Sequence, residues 1–427
     1  MNSRSYIIGD SRNLTKIFKQ RKIQGPDLII TSPPYFDIKN YENKKKQVGY
    51  GQSYQDYSKD IIDIFQQCFN ISSENAALWL IMDCIKRNGR LIPLPFDLIN
   101  DLNRRQQKSW NLRDVIIWNK YKNVPWYHKG SFKNHFEYIL FLTKGDNYKF
   151  YIDRVRDIAD LKKWWIKYPE RYNPKGKAPT NIWEFTSPLR GWGNGCQTHF
   201  CPIPFPLIER ILSISTDPGD LVLDPFAGSG SVIAISALMK RKAIGIDVSN
   251  KYKKRFNKEV IPGAKRYWKK RIKELERIEI EIKKFQELNI KLRKLKYCAS
   301  LISNIIFCES AIKNVKYFCF NGDENNVTLI FYTKNIIRDE MKIFIKKENK
   351  VLSKMFKIKC NLNLESNEDF IKNNISKIYE YDLKETNCFS KVITNLNIDF
   401  KQIKNGKLYS DILINIKKPN DFFNKKL

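Results

Sequence analysis

Histidine is scarce in this chain of 427 residues, which holds three, and none of them lies in residues 297–427. A His-Asn-His nuclease centre in that segment is thereby excluded, and no carboxylate pair followed by a lysine offers another metal-dependent cutting site there. The nine cysteines are odd in number and form no Cys-x-x-Cys pair, so neither a disulfide framework nor a zinc knuckle is favoured. Cys196, His199 and Cys201 lie close in sequence but have no fourth ligand nearby, and no metal is expected. Neither the opening Met1-Asn-Ser-Arg-Ser-Tyr6 nor any later stretch supplies 18 consecutive apolar residues, so a soluble, cytoplasmic protein with no membrane partner is expected. Acidic residues are also few: 45 Asp and Glu stand against 77 Lys and Arg, a formal net charge of +32. That excess points to a polyanionic partner, most economically nucleic acid, or else to a general lysine bias.

The length exceeds one ordinary domain and allows a large core. Residues 1–260 alternate short β-rich runs with helical patterns. Seven near-continuous apolar runs stand out: Ser5–Ile8, Asp27–Ile30, Ala77–Met82, Asp114–Trp118, Tyr138–Leu142, Leu221–Leu223 and Lys242–Ile246. Apolar runs of this kind between helices predict an α/β fold: a buried, mostly parallel seven-stranded sheet with helices on both faces. Such sheets bind ligands at the carboxyl ends of their strands, where Asp10, Asp83 and Asp247 fall. Inserts occupy Phe36–Tyr57, Tyr121–Lys133 and Arg154–Gln197, the last holding Trp164, Trp165, Trp183 and Trp192 among basic residues. Leu275, Ile278, Ile282, Phe285, Leu288, Leu292 and Leu295 recur at spacings of three and four, predicting one long amphipathic helix over 261–296 that packs on its own protein. Residues 297–427 read as a smaller α+β unit with strands at Val327–Thr333 and Lys342–Lys346.

Two strand-end loops carry the chemistry. Asp224-Pro225-Phe226-Ala227-Gly228-Ser229-Gly230 follows one strand and opens a helix. Glycines serve there because the backbone must turn tightly and touch a ligand. The Gly-x-Gly-x-x-Gly pattern fails at Ile233 and no Gly-Lys-Ser/Thr follows, so the loop is not built to cradle phosphates. A nucleoside ligand without them suits it, with Asp247 at the next strand end to accept ribose hydroxyls. The other loop is Thr31-Ser32-Pro33-Pro34-Tyr35. Its prolines stiffen the turn and remove two backbone donors, leaving outward carbonyl acceptors. Ser32 Oγ and the Pro33 carbonyl can accept the two hydrogens of an exocyclic amine, and the Tyr35 ring can stack on the base that bears it. An ordinary strand-to-helix turn and an ordinary Pro-Pro turn are the bland readings of these two loops. Their shared place at strand ends of one sheet argues against coincidence.

These residues resemble the amino-methylating DNA methyltransferases of the permuted β group, in which the Ser/Asp/Asn-Pro-Pro-aromatic motif precedes the cofactor loop. The resemblance covers about residues 5–256, including the stretch from Trp118 through His135-Phe-Glu137-Tyr-Ile-Leu140. It implies a Rossmann-like methyltransferase sheet and S-adenosyl-L-methionine as cofactor. Ser32, Pro33, Pro34 and Tyr35 correspond to the catalytic motif. Asp10, Thr31, Asp224, Pro225, Phe226, Gly228, Ser229, Gly230, Asp247 and Val248 would surround the cofactor. His199, Phe200 and Pro202 would lie over its methionine part. Cys201 replaces the usual Lys or Arg before Pro202, and Ser231 the usual Thr after Gly230.

Serine before Pro-Pro most often accompanies N4-cytosine methylation in that family, and Asp or Asn accompanies N6-adenine. The resemblance therefore implies transfer to the N4 amine of a cytosine flipped out of duplex DNA, with N6-adenine as the alternative. Carbon-5 methylation would need a Pro-Cys nucleophile, and no Pro-Cys occurs. A positively charged cleft is expected to hold the duplex by its phosphates. Target recognition is expected from residues 154–197, from the 297–427 unit, or from both; the latter could instead serve protein contacts. The setting implied is a prokaryotic restriction-modification system. The enzyme would be nucleoid-associated through DNA, and a cognate endonuclease would be encoded alongside. A DNA-binding restriction subunit with an additional activity in 297–427 is the rival from another class.

Overall fold

The computed structural model describes residues 4–309 except 38–46, 88, 106–108, 121–131, 133, 158–174 and 187–201. Beyond 309 it describes 315–322, 326–333, 346, 349–350, 353–354, 359–365 and 378–380. Two compact units divide the chain: residues 1–157 with 178–278, and residues 158–177 with 279–427.

The first unit is built on one sheet. Its strands are β1 (Arg4–Ile8), β2 (Leu28–Thr31), β3 (Ala77–Met82), β4 (Asn111–Asn119), β5 (Phe136–Thr143), β6 (Ile182–Glu184), β7 (Leu221–Asp224) and β8 (Lys242–Asp247). Their order is β1-β8-β7-β2-β3-β5-β4-β6. Five of the seven pairings are parallel, and only β5 runs against the rest. All seven expected strands are present, and the sheet has an eighth. That strand, β6, pairs with the edge of β4 over only three residues, Ile182–Glu184. So short an edge segment, buried only at Trp183, leaves no apolar run to read in the sequence.

Alternate residues of each strand serve opposite faces, as the two-residue period of a strand requires. Ile29, Leu78, Leu80, Leu223 and Ile244 face one core. Helices α1 (Leu14–Gln20), α2 (Tyr54–Ile71) and α3 (Leu94–Arg105) cover it with Leu14, Phe18, Ile61, Phe65 and Leu98. Leu28, Ile30, Trp79 and Val222 face the other core, under α4 (Phe205–Ser215) and α5 (Ser231–Leu238). A helical run then continues through α6 (Asn250–Arg255), a π-helical turn at Phe256–Val260 and α7 (Ile261–Glu309). Phe256, Val260 and Ala264 bury one stripe of it in the second core. The helix thus extends past the expected end at 296, and Leu275 on its expected apolar stripe is exposed.

From β2 the chain passes to β3 on one side, whereas from β7 it passes to β8 on the other. Such a reversal opens a crevice between the carboxyl ends of two adjacent strands, here β2 and β7. Those two strands end at Thr31 and Asp224, where the two motif loops begin.

The second unit holds β9 (Val315–Gly322), β10 (Asn326–Thr333), β11 (Lys359–Glu365) and β12 (Ile378–Glu380) in the order β11-β10-β9-β12. The expected strand Val327–Thr333 is β10, whereas residues 342–345 of the other expected strand lie outside the described residues. Among the described residues no helix is long and apolar enough to cross a membrane, and no His, Cys, Asp and Glu group could hold a metal ion.

Candidate active site

The glycine loop is held in place from two strands. The Ala227 N–H donates to the Ile246 carbonyl at 2.9 Å, and the Gly228 N–H donates to Asp247 Oδ2 at 3.0 Å. The Gly228 carbonyl accepts from the Tyr6 hydroxyl of β1 at 2.6 Å, and the Pro225 carbonyl accepts from the Ser11 hydroxyl. Gly228 and Gly230 have φ of +48° and +81°, in the left-handed region that side chains disfavour. A Cβ at Gly230 would also stand 2.3 Å from the Phe256 ring. The loop therefore has one rigid shape, with Asp247 and Tyr6 as its braces. Asp247 Oδ1 accepts the Ser249 N–H at 2.7 Å, fixing the carboxylate at the mouth of β8.

Asp224 is buried beneath that loop. Its Oδ1 accepts from the Thr31 hydroxyl at 2.8 Å and from the Phe226 N–H at 3.1 Å. Burial pushes its carboxyl up to about 7, against the two hydrogen bonds, while the nearby Asp247 raises it further. Thr31 thus ties the end of β2 to the end of β7. The Tyr6 phenol is likewise raised, chiefly by burial and then by Asp247 and Asp224, so it stays protonated as a donor.

On the other side of the crevice, Tyr57 of α2 donates its hydroxyl to the Pro34 carbonyl at 3.0 Å, pinning the Pro-Pro corner. Ser32 Oγ and the Pro33 carbonyl have no hydrogen-bond partner among the described residues. The Tyr35 hydroxyl donates to Glu137 Oε2 at 3.3 Å, and Glu137, buried, is salt-bridged to Lys120. Burial and the Glu137 charge push the Asp83 carboxyl beside them up to about 6, and an Asn134 hydrogen bond partly offsets the shift.

One cleft, with a cavity volume of about 230 Å³, brings the two loops together. Ser32, Pro33, Pro34 and Tyr35 line it, and so do Asp10, Pro202, Asp224, Pro225, Phe226, Gly228, Ser229, Asp247 and Val248. Thr31 and Gly230 stand behind the wall, one bonding Asp224 and the other turning the backbone. His199 and Phe200 lie outside the described residues, as do Cys196 and Cys201. Asp10 reaches the cleft while its carboxylate also pairs with Arg12 at 2.9 Å. Tyr6, Ser11, Tyr57, Glu137 and Tyr252 are the additional residues that shape or brace it.

The described lining contains no Lys or Arg but three aspartates, with Pro, Phe, Ile and Val between them. A phosphate-bearing ligand would face like charges, whereas a nucleoside with a cationic centre would meet apolar walls and acceptors. S-adenosyl-L-methionine has that character: a planar base, ribose hydroxyls and a sulfonium. The residues present fit it.

The type II methyltransferase M.SmaI of Serratia marcescens is 26% identical over 282 residues, spanning 59% of this chain and 89% of the relative. The DNA adenine methyltransferase YhdJ of Escherichia coli K12 is 26% identical over 246 residues, spanning 55% and 76%. The solved PvuII DNA methyltransferase (cytosine-N4-specific) aligns over 62% of this chain and 91% of its own, at 16% identity and a TM-score of 0.45. A family model described as DNA methylase matches residues 26–258, more than half of the sequence. The chain belongs to the DNA methylase family, whose methyl donor is S-adenosyl-L-methionine.

Proposed function

We propose that the chain is a site-specific DNA methyltransferase of a restriction-modification system that methylates the exocyclic N4 amine of cytosine. The observation that carries this reading is the pair of acceptors without hydrogen-bond partners, Ser32 Oγ and the Pro33 carbonyl, in the same cleft as Gly228 and Asp247.

When bound, S-adenosyl-L-methionine supplies an electrophilic methyl group on a sulfonium. Asp247, Asp10 and the Gly228–Ser229 backbone, which line the cleft, would hold its nucleoside, and Pro202, Pro225 and Phe226 would supply apolar wall. A paired cytosine hides its amine in the helical stack, so it must be flipped out, at a cost of about a few kcal/mol. The Tyr35 ring offers a stacking surface that offsets this cost. Ser32 Oγ and the Pro33 carbonyl accept the two N–H bonds, turning the nitrogen lone pair into the cleft. Those acceptors would face the positive charge that develops on nitrogen as it takes the methyl, and the proton the nitrogen then loses would pass by way of the Ser32 hydroxyl to solvent. No protein nucleophile is needed, because the amine attacks directly. Positioning and fixed acceptors supply most of the rate.

The adenine reading rests on one observation, the similarity to a relative named as an adenine methyltransferase. Either amine could be held by the same two acceptors. Incubating the full chain with duplex DNA and S-adenosyl-L-methionine, then digesting to nucleosides for mass analysis, separates the two. N4-methylcytosine is the expected product. N6-methyladenine would move the assignment to the other base, and no methylated nucleoside would remove it. Target recognition is assigned to residues 154–197 and to the 297–427 unit, within a system that encodes a cognate endonuclease separately.

A further inference from the structure

The described lining of the cleft holds no Lys or Arg, although the chain carries a formal net charge of +32. It is most concentrated along the helical run that leaves the cleft. Residues 250–273 contain eleven Lys and Arg and a single acid, Glu259. The next fourteen residues of the same helix, 274–287, contain five acids and three bases. The one-signed stretch ends at Lys273, and bases become dense again only at Lys291–Lys296.

The charge is also sorted by face. Phe256, Val260 and Ala264 bury one side in the core, and farther along Tyr267 and Arg271 bond Glu209 of α4, Arg271 Nε at 2.8 Å. Lys251, Lys254, Lys258, Lys265, Lys269 and Lys273 are exposed and form no ion pair among the described residues. Lys254 and Lys258, Lys265 and Lys269, and Lys269 and Lys273 are like-charged pairs four residues apart, an arrangement that destabilises a helix on its own. Surfaces that only need solvation intersperse both signs. A one-signed face held rigid by core packing gains from an anionic partner that neutralises it.

The run begins at the cleft. Ser249, which caps α6 by accepting the Tyr252 N–H at 3.2 Å, lines the cleft together with Tyr252. From Lys251 to Lys273 the helical rise spans about 33 Å, and duplex DNA passes about ten base pairs in that length.

We infer that the exposed Lys251–Lys273 face is a docking ridge for the phosphate backbone of duplex DNA beside the target base. The inference rests on DNA being the substrate. It assigns sequence-independent grip to this ridge, outside the cleft where the chemistry takes place.

The test uses the full chain and labelled duplex DNA, with binding followed by anisotropy between 50 and 200 mM salt. The triple variant Lys258→Gln/Lys265→Gln/Lys269→Gln should bind more weakly at low salt, with a log–log salt slope shallower by about 2.7, three phosphates at about 0.9 each. The matching triple Glu variant should bind more weakly still. Affinity for S-adenosyl-L-methionine should stay at the parent value for both, which also reports that they fold. Lys16→Gln/Lys19→Gln on α1, under the opposite face of the sheet, should leave the slope unchanged. The ridge is overturned if the triple variants keep the parent slope, if the α1 variant loses as much, or if only binding to duplex RNA falls. A parent chain that methylates DNA while its ridge variants bind like it condemns the ridge alone. A parent chain that leaves DNA unmodified condemns the function proposed above.

Discussion

The Thr31 hydroxyl donates to the Asp224 carboxyl at 2.8 Å, joining two residues 193 positions apart at the ends of neighbouring strands. Both groups are buried, so the bond forms where neither has water as a substitute. One side leads into Ser32 and the other into Gly228, so this bond fixes the distance between the proposed amine acceptors and the glycine loop. Thr31→Val keeps the shape and deletes the donor. It should cost about 1–3 kcal/mol in urea unfolding and weaken cofactor binding in calorimetry.

Asp224 makes stability depend on pH with a definite sign. Its folded pKa, about 7, lies above its unfolded value because burial favours the neutral form. The folded chain therefore binds more protons than the unfolded chain between about pH 4 and 7. Its contribution is greatest below that window and declines as pH rises through it. Asp83, raised to about 6, adds to the same trend. Asp224→Asn, which cannot ionise, should melt with a flatter dependence across pH 4 to 7. A variant curve parallel to the parent would show that Asp224 titrates normally.

Ser32→Ala removes one of the two acceptors but touches neither Asp224 nor Asp247. Methyl transfer measured in single turnover should fall on the order of 10²-fold, the scale for losing one fixed polar partner of the transition state. Affinity for S-adenosyl-L-methionine should remain near the parent value. Unchanged turnover would show that the Ser32 hydroxyl takes no part in orienting the amine.

Gly230→Ala tests the rigidity of the cofactor loop. The left-handed φ costs about 1–2 kcal/mol for any side chain, and the new methyl would press on the Phe256 ring. A lowered urea midpoint is expected, with weaker cofactor binding. Phe256→Leu in the same chain should recover only the steric part of the loss, because φ is unchanged.

The strand ends were legible because their residues report on backbone and burial locally. Apolar runs such as Leu28-Ile-Ile30 and Leu221-Val-Leu223 fix where the sheet lies, and Pro, Gly and Asp just beyond them fix the turns. The braces were not legible. Tyr6 acts through a hydroxyl that meets Gly228 across 222 residues, and Tyr57 reaches Pro34 from the middle of a helix whose pattern only calls for bulk. Such roles depend on which strands become neighbours, and no local spacing encodes that. Composition counts lysines over the whole chain, and only the fold shows that Phe256, Val260 and Ala264 pack inward while Lys258 between them stays exposed.

Tyr35 separates stacking from positioning. In the proposed reaction its ring would stack on the flipped base, while its hydroxyl reaches Glu137, a buried carboxylate salt-bridged to Lys120. Tyr35→Ala should weaken capture of the flipped base by about 1–3 kcal/mol, the usual worth of one aromatic stack. Tyr35→Phe keeps the ring and loses one hydrogen bond worth about 1 kcal/mol, so it should bind the base nearly as well but hold it less uniformly. Fluorescence of 2-aminopurine placed at the target position reads extrusion directly. Strong emission with the parent and with Phe, but not with Ala, is expected, together with a larger fall in turnover than in binding for Phe. Equal emission from all three would mean that the extruded base does not rest on this ring. Glu137→Leu, which removes the acceptor of the Tyr35 hydroxyl, should reproduce the Phe phenotype.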